Sequence, residues 1–193
     1  MKVLTTILLS TVLTKHPALG GYWYFGEDQI DPLTGMTDSE KGSIRSSWKY
    51  MMKDPIKYGS MILQNFFQKH PEYLEFFPFK DVTIEELTSN KKFLVYLNFM
   101  MYTLDAIVDN LRLDPAVMKA ILRKLGVNHL KSNVGVVEPF WDLRDMILDY
   151  IRPLVNRNTY EAWAKFSNMT MHHITSAIVD EQNAFEQGKR DLR

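Results

Sequence analysis

The chain has 193 residues, of which 46% are apolar and 24% charged, with 23 lysines and arginines against 23 aspartates and glutamates. That length and balance fit one globular domain with a tail, and no basic field asks for a nucleic acid partner. Zero cysteines exclude disulfides, a thiolate nucleophile, iron-sulfur clusters and Cys-ligated zinc, leaving histidine, carboxylate, tyrosine and methionine as metal donors.

In residues 1–20, Lys2 precedes an apolar run from Val3 to Leu13, and Ala18-Leu19-Gly20 offers small residues spaced like a cleavage site. The run is too short to span about 30 Å of hydrocarbon, so no membrane partner is expected. Two readings stand: a removed secretory signal, which makes the protein secreted, or a retained extension on a cytoplasmic one. Lys15 and His16 sit awkwardly for the first. Residues 21–36 mix aromatics with Gly, Asp and Pro without period and read as an irregular tail on the surface.

From Thr37 the pattern is helical almost throughout, and residues 37–187 read as the folded domain, with 188–193 a short tail. Thr37-Asp38-Ser39-Glu40 forms a capping box before Ile44 and Trp48, placing a helix start near Asp38. Asp54-Pro55 opens a second helix, whose Tyr58, Ile62, Phe66 and Phe67 recur at helical spacing up to His70-Pro71. A short helix reaches about Phe76, and Phe77 to Asp81 is irregular. Thr83 to Glu86 reads as another capping box. A long helix from about Asn90 to Leu111 puts Phe93, Tyr96, Leu97, Met100, Leu104 and Ile107 on one face. Asp114-Pro115 opens the next helix, Glu138-Pro139 another, and Asn158 or Thr159 caps the last. No alternating strand pattern competes, so the fold class is all-α.

Among the chain's five histidines, His129 is the candidate for chemistry. It follows Ile121 and Leu125 at one-turn intervals, so the three share a helix face, and neutral imidazole in an apolar cleft is a good iron donor. On spacing alone, a core histidine bonded to a carbonyl fits as well. The adjacent His172 and His173 face about 100° apart on a helix and do not converge on one metal. Asn168-Met169-Thr170 has the form of a glycosylation sequon but falls inside a helix, and His70 reads as a backbone cap beside Pro71. No set of catalytic residues emerges, so the chain does not read as an enzyme.

Several stretches together resemble the globin superfamily. Trp48, Tyr58 to Glu72 and Phe76-Phe77-Pro78-Phe79 look like the first two helices and corner. Asn90 to Phe93 with Leu104 to Leu111 looks like the long distal helix, and Leu125-Gly126-Val127-Asn128-His129 with Val134 looks like the proximal segment. The resemblance covers Thr37 to about Asp180 and is nearest to arthropod, insect-type globins, whose lead-in and corner look like Asp31 to Thr37 and Phe77 to Val82. It implies a globin fold, a sandwich of about eight helices around a haem b, reversible binding of dioxygen or another diatomic gas, and His129 as proximal iron ligand.

The same resemblance puts Phe77 against the porphyrin, Leu63 and Met100 on the ligand side as steric walls, and Phe79, Leu125, Val134 and Phe140 at the cofactor. At the position where globins commonly carry a distal histidine stands Tyr96, and no histidine lies between His70 and His129. The distal helix therefore has no second histidine to give the iron. A buried, unpaired phenol costs about 1 to 3 kcal/mol, so Tyr96 donates to bound dioxygen, binds ferric iron as phenolate, or turns away. The second outcome implies a haem redox or gas-sensing protein, with a reductase as possible partner. A haem-free helical interaction module is the reading from another class. Phe99 stands where globins often have a basic residue for the haem propionates, leaving Lys92, Arg123, Lys131 or Asn133 for that task.

Overall fold

The structure, a computed structural model, describes residues 29–112 and 114–188. The signal-like segment at 1–20, the first half of the tail at 21–28 and the residues after 188 lie outside the described residues. Six α-helices, α1 (Asp38–Met51), α2 (Pro55–Lys69), α3 (Lys91–Asp109), α4 (Pro115–Lys131), α5 (Glu138–Ile151) and α6 (Arg157–Glu186), join two six-residue 3-10 helices at Pro71–Phe76 and Ile84–Ser89. Those eight make the expected all-α sandwich, with no strand among the described residues.

Local chemistry explains most of the helix starts. Thr37 Oγ1 accepts from Glu40 N at 3.1 Å while the Glu40 carboxylate accepts from Thr37 N at 2.9 Å, so two backbone donors at the helix start are satisfied reciprocally. Asp54, Asn90 and Asp114 cap α2, α3 and α4 through their side-chain oxygens. Two expected caps differ. The last helix starts earlier, because Asn156 in an extended conformation accepts from Thr159 N at 2.9 Å. Thr83 makes no capping box: the Glu86 N–H goes to the Thr83 carbonyl at 3.1 Å, as 3-10 bonding requires, and the Thr83 hydroxyl donates to the Glu86 carboxylate instead.

The end of the amino-terminal tail is irregular and is tied to α1. Met36 is completely buried, and Lys41 reaches Asp31 at 2.6 Å with side chains only 7% and 12% exposed. Asp31 also accepts from Leu33 N at 2.9 Å and Thr34 N at 3.2 Å, a turn that anchors the segment on α1. Burial pushes its carboxyl up, but the Lys41 hydrogen bond and the two backbone N–H groups outweigh this and hold it below the usual carboxylate value. A carboxyl lowered in the native state stabilises above its unfolded pKa, and the contribution is lost as pH falls through the folded one. Asp31→Asn should therefore cost about 1 to 3 kcal/mol near pH 7. Urea unfolding at neutral and acidic pH should show that gap closing on acidification; a gap independent of pH would assign the cost to something else.

Buried tryptophans tie the sandwich together. Trp48 Nε1 of α1 donates to Asp105 of α3 at 2.9 Å, and Trp163 Nε1 of α6 donates to Ser47 Oγ of α1 at 2.8 Å, with the two indoles 6.0 Å apart. Elsewhere two backbones approach closely at glycine. A Cβ on Gly59 of α2 would meet the Met101 side chain of α3 at 2.9 Å, and one on Gly126 of α4 would meet the Ile174 carbonyl oxygen of α6 at 2.2 Å. The second approach seats the last turns of α4 directly on α6.

Candidate haem site

An internal cavity of about 120 Å³ lies where α2, α3, α4, α5 and α6 converge. Its wall includes Leu63 from α2, Phe77 from the corner, Tyr96 and Met100 from α3, Leu125 and His129 from α4, and Phe140 from α5. Seven of the nine residues expected to touch a cofactor are thus brought together. Phe79 and Val134 are not. Phe79 sits one layer back, its ring stacked on Phe77 at 5.2 Å and edge-on to Phe93 at 5.4 Å, because the corner turns alternate side chains inward and behind. Val134 acts through its backbone: it follows Asn133, whose φ of 64° reverses the chain, and its N–H closes the end of α4 on the His129 carbonyl at 2.9 Å.

His129 stands in the last turn of α4, half-buried, with its ring edge-on to Phe140 at 5.0 Å. Nδ1 lies 2.8 Å from the Leu125 carbonyl oxygen one turn earlier. A carbonyl brings no proton, so Nδ1 carries it and donates, and Nε2 keeps a free lone pair. This is the second partner expected of a metal-binding imidazole, and it fixes ring orientation and raises donor strength.

Tyr96 lines the cavity across from α4, its ring edge-on to Phe77 at 4.8 Å and to Phe79 at 5.9 Å. Burial pushes its phenol above the usual value, and no lysine or arginine belongs to the cavity wall. The neutral phenol is the form this surrounding favours. Met101, completely buried against Gly59, fills the core position beside the cavity, while Met100 faces the cavity itself.

The mouth is unusual in its polarity. Phe99 is 70% exposed and belongs both to the cavity wall and to two shallow depressions flanking it. One depression carries Lys91 and Lys92 of α3, the other Lys124 and Asn128 of α4. Arg123, by contrast, is engaged with Asp180 at 2.8 Å. Sequence reasoning missed Lys124, Thr103 and the α6 wall of Thr170, Met171 and Ile174. The helical period of α6 points to an inward face there but not to what it meets. His70, read from the sequence as a backbone cap, closes α2 with its N–H on Phe66 O at 2.9 Å, and its ring stacks on Tyr73 with the Glu72 carboxylate 3.4 Å from Nδ1.

The site is an apolar cavity between helices with one imidazole in its wall, oriented by a backbone carbonyl. Residues 60–174, more than half of the chain, match the family described as Globin. Among relatives, Hemoglobin-2 of Phacoides pectinatus is 33% identical over 130 residues, covering 62% of this chain and 78% of that one. Extracellular globin-E1 of Artemia sp. is 25% identical over 143 residues, covering 73% of each. The solved hexa-coordinate haemoglobin of Drosophila melanogaster superposes with a TM-score of 0.67 at 28% identity, covering 72% of this chain and 93% of that one. The chain belongs to the globin family, a family of haem-binding proteins.

The residues present fit a haem. Nε2 of His129 would supply a donor to the iron, the apolar wall would suit the macrocycle, and one buried side-chain oxygen in that wall, Thr170 Oγ1, has no protein hydrogen bond.

Proposed function

We propose that the protein binds haem b through His129 and reversibly binds dioxygen or another diatomic gas on the Tyr96 side. The observation that carries this reading is the 2.8 Å contact of His129 Nδ1 with the Leu125 carbonyl, which leaves Nε2 as donor toward the cavity. Haem iron supplies the coordination site for the gas. Leu63 and Met100 would limit the space beside it, and Phe77, its ring edge-on to Tyr96 at 4.8 Å, would wedge against the cofactor. Lys92 and Lys124, on opposite lips of the mouth, are the cations for the propionates. The absence of a second histidine from α3 means that axial ligation by two histidines does not come from this helix.

Tyr96 serves as a neutral hydrogen-bond donor to the gas ligand. Away from iron, burial and the cation-free wall keep the phenol protonated; ferric iron would itself favour the phenolate, so the ferric spectrum separates this reading from a redox or sensing role. A hydrogen bond to a ligand carrying partial negative charge contributes about 1.5 to 3 kcal/mol, so Tyr96→Phe should speed dioxygen dissociation by roughly ten- to a hundredfold. Stopped-flow dissociation and the ferric spectrum of the same variant test this together. An unchanged rate removes Tyr96 from gas binding, and loss of a tyrosinate band from the ferric spectrum would favour the redox reading.

A further inference from the structure

We propose that the outward face of α3 is the interface of a two-fold symmetric dimer, in which the α3 helices of two copies of this chain lie antiparallel across each other. The proposal is independent of the haem reading above. Lys91, Val95, Phe99, Tyr102, Ala106 and Asp109 form one exposed row on α3, all within about 40° of the direction of Val95 around the helix. The middle of that row is apolar: Val95 and Phe99 are each 70% exposed and Tyr102 is 59% exposed. The outer face of a surface helix is ordinarily polar, as it is on α6, where Glu161, Lys165, Asn168 and His172 take exposed positions. A continuous row of exposed apolar and aromatic side chains is what a contact surface presents.

The charges at the two ends of the row say what covers it. Lys91 opens the row and Asp109 closes it about five turns, or roughly 27 Å, farther along the axis. Asp109 pairs with Arg45 at 3.5 Å yet stays 67% exposed, open to a second cation. Reversing the row maps it onto itself: a two-fold axis level with Met100 sets Lys91 against Asp109 of the second copy, Val95 against Ala106 and Phe99 against Tyr102. Parallel packing would set Lys91 on Lys91 and Asp109 on Asp109, so the charges select the antiparallel arrangement. At a crossing angle of about 20° the helix ends part sideways by only about 5 Å, which a lysine side chain spans. Two shallow depressions lie beside the row, one of about 460 Å³ walled by Pro78 and Val95, the other of about 420 Å³ walled by Ala106 and Ile121 of α4. Antiparallel packing lays one kind over the other, as a self-complementary two-fold interface requires.

Sedimentation equilibrium of the full-length protein should show a monomer–dimer equilibrium. Tyr102→Glu, at an exposed site outside the cavity wall, should weaken the dimer by about thirtyfold or more, because it puts a charge at the apolar centre of the interface. Lys91→Glu and Asp109→Lys should each weaken it about tenfold, since each sets two like-charged pairs across the axis. Combining the two exchanges the charges and should restore the wild-type constant, a recovery that only the antiparallel register gives. Asp109→Lys also gives up the exposed Arg45 contact, which carries little weight for the fold. The proposal falls if the wild type stays a monomer at about 100 μM, which would leave residues 1–28 or an unrelated protein to cover this face. It falls equally if a dimer forms that Tyr102→Glu does not weaken, or if the charge exchange does not restore what each single change removed. The charge variants lie on the surface, so poor folding of Tyr102→Glu, read by circular dichroism, does not protect the idea.

Discussion

His129→Ala should abolish stable haem uptake while leaving the helical fold intact. Losing an outer partner of a metal-binding imidazole already weakens affinity by about 10- to 100-fold, and losing the donor itself must exceed that. The ring is half-buried at the end of α4, where the Ser132, Asn133 and Val134 N–H groups close the helix without help from the imidazole. The apoprotein should therefore lose no more than about 1 kcal/mol in urea unfolding. Haem transfer to a high-affinity acceptor, followed at the Soret band, measures the effect. His172→Ala, at an exposed site on α6, is the matched control and should retain haem like wild type. Equal retention by His129→Ala would remove the axial donor from the proposed site.

Gly126→Ala attacks the same imidazole from behind. The added Cβ would stand 2.2 Å from the Ile174 carbonyl oxygen and 3.1 Å from Ala177 Cβ, and the first of these is backbone in the middle of a long helix. Neither atom swings aside. α4 has to move away from α6 by about 1 Å, and the cost should reach about 3 kcal/mol, the upper part of the range for overfilled cores. The displaced helix carries His129, so haem loss should quicken in step with instability. Gly59→Ala is the useful comparison, because its Cβ would meet Met101 Cγ at 2.9 Å and Sδ at 3.0 Å, the end of a flexible side chain. That variant should cost less than half as much. Equal stability of Gly126→Ala and wild type in urea would show that α4 is not seated as described.

Much of the helix map was legible because its causes are local. A cap is an oxygen two or three residues from the N–H that it accepts, and Thr37, Asp54, Asn90 and Asp114 sit where such an oxygen is needed. The same rule failed at Thr83, where the chain took 3-10 bonding and the Glu86 N–H was already used. At Met36 it failed differently: nothing within the tail announces that Asp31 has a buried lysine to meet. The site was legible in its donor, since an imidazole one turn after Leu125 finds that residue's carbonyl by helix geometry alone. Phe79 and Phe77 were indistinguishable by composition, and only the path of the corner sets one in the cavity wall and the other behind it.

Taken alone, the order of residues determined where helices begin, that an imidazole stands on the inner face of α4, and that α3 has a phenol and no histidine to set against it. Those facts depend on atoms within about one helical turn of each other. Tertiary structure decided that Gly126 lies against Ile174, that Met101 rather than Met100 fills the space at Gly59, and that Thr170, in the cavity wall, keeps a buried hydroxyl with no protein partner. These depend on which faces of distant helices come into contact, and side-chain volume and backbone separation settle that only once the whole sandwich has closed.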